Sequence, residues 1–447
     1  MNKGCFARLI LAVLFPALVF SEGENLSLEQ ARALALANSQ SLAKYRLAVR
    51  SGVLDERSQL YANLPSLSLN AGASVNLWDP EGMPQENLSD SFNASAGVSV
   101  SQKIFEGGKS LVLRDIYSIN TEITRKDALA EYFTVLDSAD RAYYAVLEAG
   151  ANLAEEESSL ETAALSLSIA ELRRESGMIG PGDYLKALAD KETREASRNQ
   201  ARRTLSLNAA KLKSLTGFGE TPRPEAVDFA GYEETIRRLS AIPDEKIEAL
   251  YAEFWSILAA KNPGLAKAGL SGARAEKNLS LAKRDYSPSL SASFSTGLSY
   301  TRLTGPEANS GRLSLSGSIP LDYWVTANNV EKSRIARDSA AVDYRAAESS
   351  LETELLGVLL DAITQAGSVV SSRRAWEYAE KHFEYVMELY RLSRNSVSEL
   401  SDASSLVSSS RGGLIRAQYG FLRALSDLRS LGALEDEREL LRLLEES

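Results

Sequence analysis

The chain has 447 residues, of which 44% are hydrophobic and 25% are charged, and its formal net charge at pH 7 is −10. These proportions are normal for folded proteins and exclude a wholly disordered chain. The negative net charge and the lack of a run of lysine and arginine argue against a nucleic-acid partner.

The N-terminus has the pattern of a secretory signal peptide. Lys3 and Arg8 flank the start of an apolar stretch, residues 9–20, which is too short to span a bilayer. We predict cleavage after Ser21. The single cysteine, Cys5, lies inside this segment, so the mature chain would contain none. Export without disulfides is typical of a periplasmic or outer-membrane protein.

The next feature is a stretch of strict period-two alternation. In "LPSLSLNAGASVNLW", residues 64–78, apolar residues alternate with serine, asparagine and glycine, as in a strand with one polar face. Segments 91–104, 289–300 and 313–319 alternate in the same way, and Arg312 stands at one end of the last of them. They predict two β-hairpins, 66–104 and 289–321, whose tips are the polar stretches 79–90 and 301–311.

Almost everything else is predicted to be helical. From about residue 108 to 176 apolar residues recur seven apart, as in a coiled coil, and "GMIGPG" (177–182) then breaks the helix before it returns to about 215. A second long helix, from about 327 to 394, is broken by "NSVS" (395–398) and returns to about 431. No later apolar run is long enough for a helical membrane span.

The two halves of the chain repeat each other. "PSLS" occurs at residue 65 and again 223 residues later, and each half reads helix, hairpin, long helix, break, returning helix. The predicted organisation is therefore a signal peptide (1–21), a first repeat (22–215), a connector (216–242), a second repeat (243–431) and a C-terminal tail (432–447). The helix hairpins within the repeats span 108–215 and 327–431.

The strands carry very few charged residues, which favours a membrane over water. A soluble sheet usually carries charged residues on its wet face, and two distant hairpins leave little sequence to cover their apolar faces. Lipid on the apolar side removes this difficulty, and Trp78, Tyr323 and Trp324 would then lie at the membrane interface. Four strands cannot close a barrel, so several chains would have to share one.

At this point the sequence resembles the TolC-like outer-membrane efflux proteins, over about residues 27–434. The segments that carry the resemblance are "LSLEQARALALANS", "ANLPSLSLNAG", "QKIFEGGKS" and "GMIGPGDYLKA", in that order. The resemblance implies a homotrimer whose strands form a shared 12-stranded β-barrel in the outer membrane, surrounded by lipid. The helices would continue it as an α-barrel across the periplasm. It also implies a passive exit duct of a tripartite efflux or type I secretion system, which works with a periplasmic adaptor and an inner-membrane transporter.

The resemblance also places the two helix breaks at the periplasmic tip, where a closed pore opens. Asn395 replaces the glycine that the family favours, and Ser401 and Ser404 stand where the family often has carboxylates. The sequence therefore does not decide whether a ring of acidic residues lines the tip. The predicted tip residues are Gly177, Gly180, Pro181, Gly182, Asp183, Asn395, Ser398, Ser401, Asp402 and Ser404.

No catalytic, cofactor or metal site is predicted. "GGKS" at 107–110 lacks the glycine that a phosphate loop needs five residues before Gly108, because that position is Lys103. His382 is the only histidine, which argues against a metal site or a histidine-based triad. The acidic runs at 154–158 and 434–441 are typical of solvated helix faces. The alternative to a channel is a periplasmic coiled-coil scaffold whose hairpins form a small soluble sheet.

Overall fold

The computed structural model describes residues 25–75, 92–219, 222–301, 305–392, 394–435 and 437–446. The predicted signal peptide and Trp78 lie outside these residues. The elements of the first half are α1 (Leu28–Asn38), α2 (Gln40–Tyr61), β1 (Ser66–Val75), β2 (Phe92–Phe105), α3 (Lys109–Glu175) and α4 (Pro181–Thr216). A connecting helix, α5 (Glu233–Ser240), leads to the second half. There the elements are α6 (Asp244–Lys261), α7 (Pro263–Lys283), β3 (Ser289–Thr301), β4 (Gly305–Ser318), α8 (Tyr323–Arg391), α9 (Val397–Leu431) and α10 (Glu437–Glu446).

The predicted fold class is confirmed in its main features, which are a mostly helical chain, an internal duplication and a small four-stranded sheet. The helix before each β-hairpin is broken in two, at Ser39 and, 223 residues later, at Asn262. The sequence pattern predicted one helix at each place. At the second break the side chain of Asn262 accepts a hydrogen bond from the backbone N–H of Leu265 (3.0 Å), and Pro263 begins the next helix. Proline cannot continue a preceding helix, which explains this break.

The chain divides into two compact units. One comprises Met1–Ser39, Phe133–Phe254 and Leu355–Ser447, and the other comprises Gln40–Tyr132 and Trp255–Glu354. Each is described on its own below as the hairpin unit and the sheet unit, respectively.

Tyr143 lies in a core cluster of the hairpin unit. The buried hydroxyl of Tyr143 in α3 shares its single proton between the backbone carbonyls of Leu26 (3.0 Å) and Glu225 (2.8 Å). Tyr143 therefore joins a long helix to two segments that lie outside the helix hairpins. Around it pack the side chains of Ala31, Tyr144, Val146, Leu212, Ile415, Tyr419 and Leu422.

A buried carboxylate ties three helices of this unit together. Asp140 in α3 is completely buried and accepts two hydrogen bonds from Arg32 in α1, at 2.6 and 2.9 Å. It also accepts from Ser426 Oγ (2.8 Å) and Arg429 Nη2 (2.6 Å), both in α9. Arg429 is itself almost fully buried. A charge in such a place persists because every oxygen has a donor.

One window of α8 has the length and composition of a membrane-spanning helix, with a mean hydropathy of 1.4 over 18 residues, which the sequence analysis did not expect. Only 28% of that window is buried. The buried residues nearby follow the alternating four- and three-residue spacing of a coiled-coil seam, which explains the apolar composition by helix packing. They are Leu355, Leu359, Ala362, Ala366 and Val369.

The sheet unit is a single layer in which helices lie side by side. A Cβ at Gly52 in α2 would lie 3.0 Å from Thr121 in α3, so these helices approach closely. Next to α3 lies α7, joined by the ion pairs Lys277–Asp115 and Lys267–Asp127, both 2.7 Å. A Cβ at Gly269 in α7 would lie 3.7 Å from the ring of Tyr344 in α8. The helix order α2, α3, α7, α8 therefore matches the strand order β1, β2, β3, β4.

One predicted boundary differs from the structure. Residues 301–311 were predicted to be a loop, but β4 already begins at Gly305 and pairs with β3 through Tyr300↔Pro306. Proline is tolerated at position 306 because β4 is an edge strand and Pro306 lies at its beginning. The predicted connector and tail both contain helices, α5 and α10. The buried residues Ile236, Leu239, Leu440 and Leu444 anchor them.

We expect Asp140→Ala to destabilise the protein severely, by about 3–5 kcal/mol, because it leaves the buried Arg429 without its counter-ion. Thermal unfolding followed by circular dichroism in detergent measures this. Glu331→Gln is the control, since it removes a half-exposed ion pair with Arg334 and should change stability by less than about 0.5 kcal/mol. Equal effects of the two substitutions would contradict the role assigned to Asp140.

Candidate functional site: the uncovered sheet and the joined helix tips

The strand register brings the apolar residues of all four strands to one face of the sheet. Leu69 lies opposite Val98, and Val100 lies opposite both Leu67 and Phe294. Phe294 in turn lies opposite Leu313. Leu67, Leu69, Leu313 and Leu315 are 67–79% exposed, which is unusual for leucine. This face is an apolar patch that nothing within the described chain covers.

The opposite face of the sheet is polar and consists of small side chains. Ser66 and Ser68 lie opposite Ser101 and Ser99, and both pairs of hydroxyl oxygens are 2.6 Å apart. Across the next two strand pairs the same face brings Ser99 opposite Ser295, and it continues with pairs of serines between β3 and β4. In the middle of this face Gly97 lies opposite Gly297. A Cβ at Gly297 would lie 2.6 Å from the carbonyl oxygen of Ala96, so the two strands approach too closely for a larger residue there.

The sheet is also open at both edges. β1 pairs only with β2 and β4 pairs only with β3, so within the described chain each outer strand has one unpaired edge. Unpaired strand edges readily pair with another chain. The described residues therefore leave one apolar face of this sheet uncovered and both of its edges unpaired.

Exposed aromatic side chains lie at the end of the sheet where the strands meet the helices. Tyr323 and Trp324, which were predicted to lie at a membrane interface, are the first residues of α8 and are exposed. Tyr323 stacks on Tyr286, with ring centroids 5.9 Å apart. Tyr61 and Phe105, also exposed, lie at the same end of the sheet, before β1 and at the end of β2. Sequence reasoning missed these last three aromatic residues because each stands alone in its segment.

The first helix tip is a glycine-terminated turn. Gly177 has φ +72°, which favours glycine, and the backbone N–H groups of Gly177 and Met178 donate to the carbonyls of Arg174 and Arg173. This bonding pattern is the common glycine C-cap of a helix. Gly180 is the N-cap of α4 and is followed by Pro181 and Gly182. The negative charge of Asp183 in the first turn interacts favourably with the positive end of the helix dipole.

The second tip, which lacks a glycine, is closed by a capping box. Ser396 accepts from the N–H of Glu399 (3.2 Å), and Glu399 accepts from the N–H of Ser396 (2.8 Å). Asn395 lies just before this cap, and Val397 and Leu400 are buried behind it. The sequence pattern S-x-x-E, which would have identified the cap, was not used in the sequence analysis.

The two tips are joined by contacts between the helix hairpins. The guanidinium of Arg173 in α3 lies over the ring of Tyr390 in α8 (4.1 Å to its centroid) and donates to the Tyr390 carbonyl. The Tyr390 hydroxyl donates to the carbonyl of Ser166 (3.4 Å), and Lys186 Nζ donates to Ser398 Oγ (2.5 Å). An apolar cluster beneath them consists of Ala170, Ala187, Val386, Met387, Val397, Leu400 and Ala403.

Of the predicted tip residues, only Ser398 makes a contact of this kind. Asp402 is exposed, Ser401 and Ser404 are half-buried, and Gly177, Gly180, Pro181, Gly182 and Asp183 face solvent. The residues that join the hairpins, Arg173 and Tyr390, were missed because they lie inside the helices rather than in the breaks. Within the described residues, no group of three or more histidine, cysteine, aspartate or glutamate side chains is placed to hold a metal ion.

Away from the tips, the hairpin unit contains a polar cavity of about 460 Å³ between α3, α8 and α9. On its wall Arg141 donates to Asp137 (2.7 Å) and to Asp427. Burial raises the pKa of Asp427 to about 6, with Asp137 adding to the effect and Arg141 opposing it. This carboxyl therefore titrates near neutral pH, although its ordinary pKa is 3.8.

Comparisons with known proteins agree with this geometry. The family described as outer membrane efflux protein matches residues 31–218 and 255–433. Outer membrane protein TolC of Escherichia coli (strain K12) is 22% identical over 441 residues, covering 95% of this chain and 85% of TolC.

Among solved structures, CusC superposes with a TM-score of 0.75 at 16% identity, covering 93% of this chain and 95% of CusC. The CmeC outer membrane channel of Campylobacter jejuni superposes with a TM-score of 0.74 at 15% identity, covering 93% of this chain and 88% of CmeC. At these identities the structural likeness establishes the fold.

We expect Arg173→Ala to loosen the contact between the tips, because it removes both the ring contact and the hydrogen bond to Tyr390. Amide hydrogen exchange in residues 386–391 should become at least about tenfold faster. Arg174→Ala is the matched control, since the Arg174 guanidinium lies over Tyr184 (4.5 Å), in its own hairpin. If both variants exchange at the wild-type rate in α8, the contact does not hold the hairpins together.

The pKa of Asp427 predicts a pH dependence. Since the folded-state pKa is raised, folding favours the protonated carboxyl; its stabilisation is complete below about pH 4 and is lost as the pH rises through about 6. Asp427→Asn should flatten the dependence of the free energy of unfolding on pH, removing a change of about 1 kcal/mol between pH 4 and 7 after allowance for solvent screening; urea unfolding at a series of pH values measures this. Asp361→Asn, in the same cavity wall, should leave the profile unchanged. A wild-type profile in the Asp427→Asn variant would contradict the assignment.

Proposed function

The chain belongs to the outer membrane efflux protein family, and from that premise we propose that it is the outer-membrane exit duct of a tripartite efflux or type I secretion system. Members of this family are channels of the outer membrane and not enzymes. In the proposed system an inner-membrane transporter supplies the energy, and a periplasmic adaptor delivers the substrate. The single observation that carries the proposal is the open, two-faced sheet, apolar on one side and lined with serine on the other.

Three copies of this sheet would close into one barrel. β1 and β4 run in opposite directions because the sheet has four antiparallel strands, so β4 of one copy can pair antiparallel with β1 of the next. Closure removes all open edges, which lipid would otherwise leave unsatisfied at several kcal/mol per group. The number three, and hence twelve strands, comes from the family and not from the strand geometry.

The dimensions of the strands support a membrane position. β1 has ten residues and is about 33 Å long at about 3.3 Å per residue. At a tilt of about 40° it rises about 25 Å, which is the height of the apolar band of a membrane barrel. Tyr286, Tyr323 and Trp324 would form the interfacial row on the helix side.

The helix hairpins would form the periplasmic part of the duct. α3 has 67 residues and α8 has 69, so each is about 100 Å long at about 1.5 Å per residue. Their tips, including Gly177, Asp183, Asn395, Ser401, Asp402 and Ser404, would form its periplasmic end. Opening would require the hairpins to part, and the Arg173–Tyr390 contact is then an interaction that opening breaks.

A periplasmic coiled-coil scaffold is the alternative. It would need another part of the chain, or a soluble partner, to cover the leucines of β1 and β4. Nothing within the described residues covers them. This alternative predicts a protein that fractionates without detergent.

Cysteine cross-linking tests the shared barrel, because the mature chain would contain no native cysteine. Ser68→Cys in β1 is combined in turn with Ser314→Cys, Ser316→Cys and Ser318→Cys in β4, since the register between copies is not known in advance. After oxidation in isolated outer membranes, at least one pair should yield covalent dimers and trimers on non-reducing gels, with nothing larger.

The control is the pair Ser68→Cys and Ser99→Cys, which lie opposite each other within one sheet. Oxidation of this pair should leave the mass of a single chain. A soluble monomer, or a ladder that continues beyond three chains, would rule out the closed trimeric barrel.

A further inference from the structure

The polar face of the described sheet carries an arginine, Arg312, that no ion pair balances within the described residues. Arg312 in β4 lies opposite Ser295, and its neighbour Leu313 lies on the apolar face opposite Phe294. Because successive residues of a strand point to opposite faces, Arg312 belongs to the serine-lined face. The row that crosses the sheet at its level continues through Ser99 and Ser68.

No carboxylate on the described strands balances this arginine. The nearest acidic residue on the same face is Glu307, opposite Ser299, which is about 13 Å away along the strand. In the other direction Lys103 lies opposite Ser291, also about 13 Å away, and its charge is paired with Glu106 at 2.6 Å. Both separations are measured along the backbone, and no ion pair joins Arg312 to either residue within the described chain.

We propose that Arg312 from three copies forms a ring of positive charge inside the pore and gives the conduit a preference for anionic solutes at this level. The inference rests on the proposed function, since it needs the closed barrel with the serine face inward. It goes beyond that function by identifying a residue that discriminates among solutes by charge.

The size of the pore allows such a ring to act on the whole cross-section. Twelve strands about 4.8 Å apart, tilted by about 40°, give a barrel roughly 24 Å across between backbones. An extended arginine side chain reaches roughly half of the distance from the wall to the axis, so a solute on the axis passes within about one Debye length of three guanidinium groups. A ring of like charges in a pore attracts counter-ions and repels co-ions.

The rest of the polar face strengthens the effect of this ring. Serine, asparagine and glycine neither neutralise Arg312 nor narrow the pore, so the ring is the principal charged feature at its level. Within the described residues, the Arg312 guanidinium has no hydrogen bond or ion pair that would hold it against the wall.

Reversal potentials in planar bilayers test the proposal. Purified full-length protein is measured in a tenfold gradient of potassium chloride, as wild type, Arg312→Gln and Arg312→Glu. The cation-to-anion permeability ratio should rise in that order, by about threefold or more between wild type and Arg312→Glu. The difference should shrink at 1 M salt, where the Debye length falls to about 3 Å.

Arg237→Glu is the matched control, because it makes the same change of charge on the exposed surface of α5. It should leave the ratio at the wild-type value. Channels whose permeability ratio is the same in wild type and Arg312→Glu would overturn this inference while leaving the proposed function intact. If no variant, including wild type, forms a trimer or conducts, the proposed function itself fails.

Discussion

The structure depends on one constraint, which is that its four-stranded sheet is incomplete within the described part of a single chain. Both faces are exposed, both edge strands have a free side, and one face consists of leucine, valine, alanine and phenylalanine. Water cannot stabilise an apolar face of this size, and lipid cannot satisfy the free edges. Lipid around a barrel shared between copies satisfies both conditions. The antiparallel order, with an even number of strands in each chain, makes such closure possible without a parallel pair.

The helices of the sheet unit are arranged in the same order as its strands. α2, α3, α7 and α8 lie side by side in the order of the strands that they enter or leave, so the single layer continues from strands into helices. A single layer leaves helix faces exposed, and Ile335 and Val342 in α8 are more than half exposed. Copies that close the sheet would therefore also supply neighbours for these helices.

The hairpin unit holds its packing by other means. Its helices bury narrow seams of leucine, alanine and valine, and the buried side chains of Asp140 and Arg429 form an ion pair that Arg32 and Ser426 extend. Such a network fixes one arrangement of α1, α3 and α9, because any displacement would leave buried charges unpaired. At the tips the hairpins are joined by side-chain contacts around Tyr390 over an apolar cluster. Opening of the proposed conduit would have to break these contacts.

The sequence by itself determined the elements whose cause is local. Alternation along residues 66–75 determines a strand with two different faces, heptad spacing determines long helices, and glycine at 177 determines where one of them ends. The duplication was visible because both halves keep the same spacing. Only the tertiary structure decided which side chains meet over long separations. These include Arg173 with Tyr390, Asp140 with Arg32 and Arg429, and the row in which Arg312 has no counter-ion among the described residues. Such contacts depend on how distant helices and strands are brought together, and periodicity within one segment carries no information about the partner that lies across from it.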